Sequence, residues 1–190
     1  DLFLDAIKNL DLDVLTYAPS KGLPELIEAT SKYYKSWGMD FDPEDIVVTT
    51  GGSEALLFAI LAITDEGDEI LTCEPFYANY NSFSYETGIK MNSFSSSVQD
   101  GFHLPNKETI EKAITPKTKA ILLSNPCNPT GTVYNKEELR MVADIAKAHD
   151  LFILSDEVYR EFTFDGAEFI SFATFEDVKD RVIVLDSISK

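Results

Sequence analysis

The sequence is short of the residues that build metal centres and disulfide scaffolds: it has two cysteines, Cys73 and Cys127, and two histidines, His103 and His149, in 190 residues. Two thiols allow one bridge at most and no paired Cys-x-x-Cys site. Two histidines are too few for a histidine-rich metal centre. Basic residues are scarce as well: 16 Lys and Arg stand against 33 Asp and Glu, a formal charge of −17. Such a field repels polyanions and anionic lipid, so nucleic acid and membrane surfaces are poor partners. An anionic small molecule would need a local pocket of N–H donors. Long apolar runs are missing too. Stretches such as residues 120–123 fall far short of the ~20 residues a spanning helix needs. The first thirteen residues alternate acidic and apolar, unlike a basic segment leading into a signal-peptide core. A soluble cytoplasmic protein is the expectation, and the 44% apolar content is that of an ordinary globular chain.

What is present alternates between two patterns. Residues 22–37 read as an amphipathic helix, with Leu23, Leu26, Ile27, Tyr34 and Trp37 at three- and four-residue steps, Pro24 in the first turn and Gly38 as the stop. Residues 46–50 are a β-branched run expected to form a buried strand. Gly51-Gly52 breaks it, and residues 53–63 resume helical spacing through Ala55, Leu56, Ala59, Ile60 and Ile63. Further strands are expected at 69–73, 90–94, 120–124, 151–155 and 182–185, and helices at 77–87, 107–114 and 136–149. Apolar strands separated by helices indicate an α/β fold, a mostly parallel sheet covered on both faces in three layers.

In such sheets ligands sit beyond the carboxyl ends of the strands. The polar, Gly-rich and Pro-rich segments follow expected strands: Gly51-Gly52-Ser53, Glu74-Pro75-Phe76-Tyr77, residues 125–131, Asp156-Glu157-Val158-Tyr159 and Ser187-Ile188-Ser189-Lys190. Each has a plain structural explanation when taken singly. A glycine turn ahead of a helix can bind an anion with its free N–H groups, but Ser53 also suits a helix cap. Asn125-Pro126-Cys127-Asn128-Pro129-Thr130-Gly131 can hold Asn128 toward a ligand oxygen, or be only a stiff Asx-type turn. Asp156 can pair with a protonated ring nitrogen, or cap a helix. Lys190 can be a nucleophile once its neutral form is favoured, or a surface charge.

Taken together and in order, these segments resemble a known family. Tyr17, Gly22-Leu23-Pro24-Glu25-Leu26, Gly51-Gly52-Ser53-Glu54-Ala55, Pro75-x-Tyr77, Asn125-Pro126-x-Asn128-Pro129-Thr130-Gly131, Ser155-Asp156-Glu157-Val158-Tyr159 and Ser187-x-Ser189-Lys190 look like the class I/II aminotransferases, which are fold type I pyridoxal-phosphate enzymes. The resemblance runs from about Tyr17 to the last residue. It implies a connecting segment over residues 1–16 and a cofactor-binding large domain over 17–190, without the small C-terminal domain that carries the arginine for the substrate's α-carboxylate. It further implies a Schiff base between Lys190 and pyridoxal 5′-phosphate, with Lys190 later moving the proton between the substrate's α-carbon and the cofactor's C4′. Asp156 would hold the pyridine nitrogen's proton, and Asn128 and Tyr159 would bond the ring's phenolic oxygen. Tyr77 would stack on one ring face, where many relatives carry Trp, and Val158 would pack on the other. The N–H groups of Gly52, Ser53 and Glu54 and the hydroxyls of Ser53 and Ser187 would take the phosphate, next to Ser189. Tyr17 would reach the phosphate of a neighbouring subunit, which implies a homodimer.

The implied reaction is amino transfer between an L-amino acid and a 2-oxo acid. The same cofactor motifs also suit a carbon–sulfur lyase or a decarboxylase, separable by assaying keto-acid-dependent amino transfer against release of ammonia or carbon dioxide. A non-catalytic effector-sensing module is the reading from another class. Its discriminator is an attached DNA-binding segment, and the residues here contain none. The 190-residue piece taken alone is expected to be inert. Phe76, Tyr80, Phe83 and Tyr85 read as packing, Tyr33, Tyr34 and Trp37 as helix core or dimer surface, and Cys127 as a small spacer in the ligand loop.

Overall fold

A computed structural model of the chain describes residues 2–11, 13–14 and 16–190. Residues 1, 12 and 15 of the expected connecting segment lie outside the described residues. Among the described residues, six α-helices and five strands follow in the order α1 (Leu2–Lys8), α2 (Pro24–Ser36), α3 (Gly52–Ile63), β1 (Glu69–Glu74), α4 (Asn79–Thr87), β2 (Lys90–Ser95), α5 (Lys107–Lys112), β3 (Thr118–Ser124), α6 (Lys136–Ala148), β4 (Phe152–Asp156) and β5 (Val182–Leu185). The strands form one sheet in the order β2-β1-β3-β4-β5, and every pairing is parallel.

Local chemistry accounts for the element ends. Pro24 occupies the first turn of α2, where its missing N–H costs nothing, and Gly38 follows the helix at φ 76°, a left-handed conformation open to glycine. In α6 the Asn135 side chain accepts the Glu138 N–H at 2.9 Å, and the Glu138 carboxylate accepts the Asn135 N–H at 2.8 Å. This reciprocal cap contributes about 1 kcal/mol.

Successive strand residues point to opposite faces, and the core divides accordingly. On one face Leu71, Cys73, Ile121, Leu123 and Ile153 pack with Ile27 and Tyr34 of α2, Ile110 of α5 and Leu139, Val142 and Ile145 of α6. On the other, Ile70, Ala120, Leu122, Leu154 and Leu185 pack with Leu56, Ala59 and Ile60 of α3 and Tyr80 of α4. Ile121 and Leu122 in the central strand are fully buried, and each such side chain contributes about 2 kcal/mol of burial. The expected three-layer α/β arrangement is present.

One expectation needs correction. Residues 46–50 do not form a strand; 46–49 run extended without ladder pairing, and their backbone contact of note is Val48 N–H to Lys21 C=O at 2.8 Å. A β-branched sequence makes the chain extended, but a strand also needs a neighbouring backbone to pair with. The expected connecting segment contains a helix, α1, which buries none of its residues: Leu2, Phe3, Leu4 and Ile7 are all exposed. No helix among the described residues is long and apolar enough to cross a membrane.

Candidate active site

Parallel strands end together, and the segments after β1, β3, β4 and β5, with the first turn of α3, enclose an open cleft of about 150 Å³. Its walls include Gly52, Ser53, Tyr77, Asn128, Asp156, Val158, Tyr159, Ser187, Ser189 and Lys190. Ten of the twelve residues singled out from sequence are therefore gathered in one place, although they span 139 positions of chain, from 52 to 190.

The first turn of α3 forms one end. Its first intrahelical bond runs from Ala55 N–H to Gly51 C=O at 3.1 Å, so the N–H groups of Gly52, Ser53 and Glu54 precede it and have no carbonyl within the helix. A Cβ added at Gly52 would lie 3.6 Å from both Asp186 O and Ser187 Cβ, so the bare backbone of residue 52 sits against the end of β5. Three donors with the positive end of a helix dipole give an anion site within a strongly acidic chain.

The loop after β3 is held by its own buried polar groups. Asn125 donates its N–H to Asp156 C=O at 2.9 Å, its side-chain oxygen accepts Tyr134 N–H at 3.0 Å, and its amide nitrogen donates to Ile170 C=O at 3.3 Å. The Asn125–Pro126 and Asn128–Pro129 peptides are cis. Asn128 differs from Asn125: its side-chain amide makes no hydrogen bond among the described residues and faces the cleft. Cys127 is buried, as is Cys73, whose thiol burial pushes up to about 11. Neutral Cys73 is a poor nucleophile.

Asp156 and Lys190 meet across the cleft. The Tyr80 hydroxyl donates to Asp156 Oδ2 at 2.6 Å, and the Val158 N–H approaches Oδ1 at 3.5 Å. Burial raises the Asp156 pKa above the ordinary carboxylate value; the Tyr80 and Val158 bonds and the Lys190 charge work against that rise, while Asp186 adds to it. The Lys190 ammonium lies 5.5 Å from the centre of the Tyr159 ring. Tyr77 stands edge-on to Tyr80, with ring centres 5.6 Å apart, and its hydroxyl accepts the Asn79 side-chain N–H at 2.8 Å.

The side chains of the other two expected residues do not line the cleft, and their expected roles do not need them to: Glu54 is to contribute its N–H and Tyr17 to reach a neighbouring subunit. The Glu54 carboxylate turns back to accept the Thr50 N–H at 2.6 Å and does not line the cleft, which leaves only its backbone N–H for a ligand. Tyr17 is fully exposed, away from the cleft. Conversely, Tyr80 is more than packing: it is buried and bonds the key carboxylate. Helical spacing from Tyr77 to Tyr80 is the signal that would have found it. Phe83, Leu56, Ser124 and Leu185 complete the wall. His103 and His149 do not line the cleft and are paired with Glu138 and Glu111.

Residues 5–190 match the sequence profile of the family described as Aminotransferase class I and II. The chain belongs to that family. A putative aminotransferase of Bacillus subtilis, YugH, is 38% identical over 188 residues, covering 97% of this chain and 48% of its own length. A probable aspartate/prephenate aminotransferase of Thermus aquaticus is 39% identical over 154 residues, covering 80% and 40%. Among solved structures, an aromatic aminotransferase from Pyrococcus horikoshii superposes with a TM-score of 0.93 at 34% identity, covering all of this chain and 51% of the other. The chain thus spans about half the length of the aminotransferases it matches. Pyridoxal phosphate is the cofactor of the class I/II aminotransferases.

Proposed function

We propose that this chain forms the cofactor-binding part of an aminotransferase that moves an amino group between an L-amino acid and a 2-oxo acid, with pyridoxal 5′-phosphate as cofactor. The observation that carries this reading is the placement of Lys190 and Asp156 on the walls of one cleft, from the ends of two neighbouring parallel strands. The cleft suits the group at each point: an anion site at the first turn of α3, an aromatic face at Tyr77, an apolar one at Val158 and unpaired polar groups at Asn128 and Tyr159.

When bound, the cofactor supplies an aldehyde for covalent capture of amines and a cationic ring that accepts electrons from the substrate's α-carbon. Asp156 holds the proton on the ring nitrogen, because a carboxylate in a poorly solvated site gains most from an adjacent positive charge. Lys190 would hold the cofactor at its aldehyde group, and its amine would hold or move the proton at the substrate's α-carbon. Asn128 and Tyr159 bond the phenolic oxygen and orient the ring. Gly52, Ser53, Glu54 and Ser187 bind the phosphate through N–H and hydroxyl groups. The family's substrates are amino acids and 2-oxo acids.

We further infer a homodimer in which Tyr17 reaches the neighbouring subunit's phosphate. Full exposure of Tyr17, and exposure of the apolar Phe58 and Leu61 on α3 at 51% and 57%, support such a covered face. In the full-length protein, light scattering should give twice the subunit mass; a monomer with full cofactor affinity would remove the inference.

The test of the central reading is Lys190→Ala in the full-length protein. Keto-acid-dependent amino transfer should fall by roughly 10²–10⁴-fold, and the absorbance of the lysine-bound cofactor should vanish when no external amine is present. Persistence of that absorbance in Lys190→Ala would reject the assignment. Ammonia or carbon dioxide release in place of amino transfer would move the protein to lyase or decarboxylase chemistry.

A further inference from the structure

Directly behind the cleft lies a second polar cluster that the reaction does not use. At its centre is Arg160, 1% exposed. One arm of its guanidinium donates to Asp186 Oδ2 at 2.6 Å and the other to Glu157 Oε2 at 3.0 Å. Tyr33, Tyr34 and Phe169 present ring faces to it at 5.5, 5.1 and 5.9 Å. Glu157 is fully buried and accepts further bonds from Ser155 and Ser171 at 2.8 and 2.6 Å. Burial disfavours the charge on Arg160, but Glu157 and Asp186 outweigh it and raise the pKa above that of an ordinary arginine.

Asp186 joins this cluster to the cleft. While Oδ2 is held by Arg160, and at 3.3 Å by the Tyr34 hydroxyl, Oδ1 accepts the backbone N–H of Ser187 at 2.7 Å. Ser187 lies against Gly52 at the first turn of α3, and its hydroxyl is 2.8 Å from that of Ser189. The two oxygens of one carboxylate therefore face two regions, one toward a fixed buried cation and one toward the backbone that presents Ser187. A planar guanidinium can bond Asp186 and Glu157 at once, with its direction fixed by three rings; a lysine ammonium is a point charge without that fork.

We propose that Arg160, acting through Asp186, is the positioning residue that sets Ser187 in the phosphate cradle of the cofactor site. This rests on the reading of the cleft as a pyridoxal-phosphate site. Without the guanidinium, Asp186, whose side chain is already 24% exposed, is free to turn to water. The Ser187 N–H then loses its acceptor and the hydroxyl its fixed direction. Tyr77 and Val158 make no contact with this link, and Asp156 meets Asp186 only as a neighbouring like charge, so the main consequence falls on phosphate.

The experiment compares two aldehydes in the full-length protein. Binding of pyridoxal 5′-phosphate and of unphosphorylated pyridoxal is titrated by absorbance in the wild type, Arg160→Gln and Asp186→Ala, with circular dichroism to verify folding. The expected result is a phosphate-selective loss: affinity for the phosphorylated aldehyde falls about tenfold, some 1.4 kcal/mol, while affinity for pyridoxal stays within about twofold. A loss of equal size for both aldehydes would assign Arg160 a merely structural role, and no loss for either would also overturn the proposal. If Arg160→Gln does not fold, Asp186→Ala decides by the same criterion. A wild-type protein that binds neither aldehyde would instead reject the underlying cofactor reading.

Discussion

Asp156 and Glu157 are neighbours in sequence with opposite surroundings. Asp156 faces the α3 and α4 side of the sheet and the cleft, with Tyr80 and Val158 as its partners. Glu157 faces the α2 and α6 side, where Arg160, Ser155 and Ser171 satisfy it completely. The same alternation separates Asp186 from Ser187 at the end of β5, since successive residues of an extended chain point to opposite sides. The front cluster leaves hydrogen-bonding capacity unused at Asn128, while the rear cluster uses nearly all of its own, the one orphan being Arg160 Nε. Spare capacity is what a ligand needs, and full pairing is what keeps the support rigid.

The strongest way to break this comparison is to exchange charges at the two neighbours. Glu157→Gln leaves a buried guanidinium without its full counter-charge and should cost about 3 kcal/mol in a denaturant titration. Asp156→Asn should do the reverse. The folded-state pKa of Asp156 is raised, so its ionised form favours the unfolded chain and its contribution falls as pH rises from the unfolded value through the folded one. Above that window the asparagine variant should be as stable as the wild type or more so. Amino transfer should nevertheless drop roughly 10²–10³-fold, because the ring nitrogen loses its anion. Equal destabilisation by both substitutions would show that the division into support and site is mistaken.

A second pair sharpens the contrast within one loop. Asn125→Ala removes two side-chain hydrogen bonds, to Tyr134 N–H and Ile170 C=O, and should lower stability by about 2–3 kcal/mol. Asn128→Ala should leave the unfolding midpoint almost unchanged while shifting the absorbance of the bound cofactor and its pH dependence. Tyr80→Phe gives a small effect. Its hydroxyl holds the Asp156 pKa down, so removing it should move the acidic limb of the pH–rate profile to higher pH, at a stability cost of about 1 kcal/mol. An unmoved acidic limb would separate Tyr80 from the carboxylate's charge state.

The sequence was most informative where one local rule fixes the outcome. Strands such as 120–124 and 151–155 are short, apolar and bounded by turn residues, and the polar groups after them had to share one end of a parallel sheet. Three features were illegible for definable reasons. Residues 46–50 have strand chemistry, but pairing depends on what lies beside them in space. Glu54 precedes its own helix's first bonded turn, and its choice of Thr50 over the cleft is a rotamer decision. Arg160 directly follows the 155–159 motif yet drew no role, because burial of arginine runs against its usual exposure and becomes visible only once Glu157 and Asp186 close around it.

An all-parallel sheet also has a far pole, where helices return the chain to the strands at residues 64–68, 88–89, 113–117 and 149–151. None of those residues lines the cleft. That end is accordingly the place for fluorescent labels, affinity tags or lengthened loops, which would ride on the opposite rim of the molecule and leave the reacting groups undisturbed.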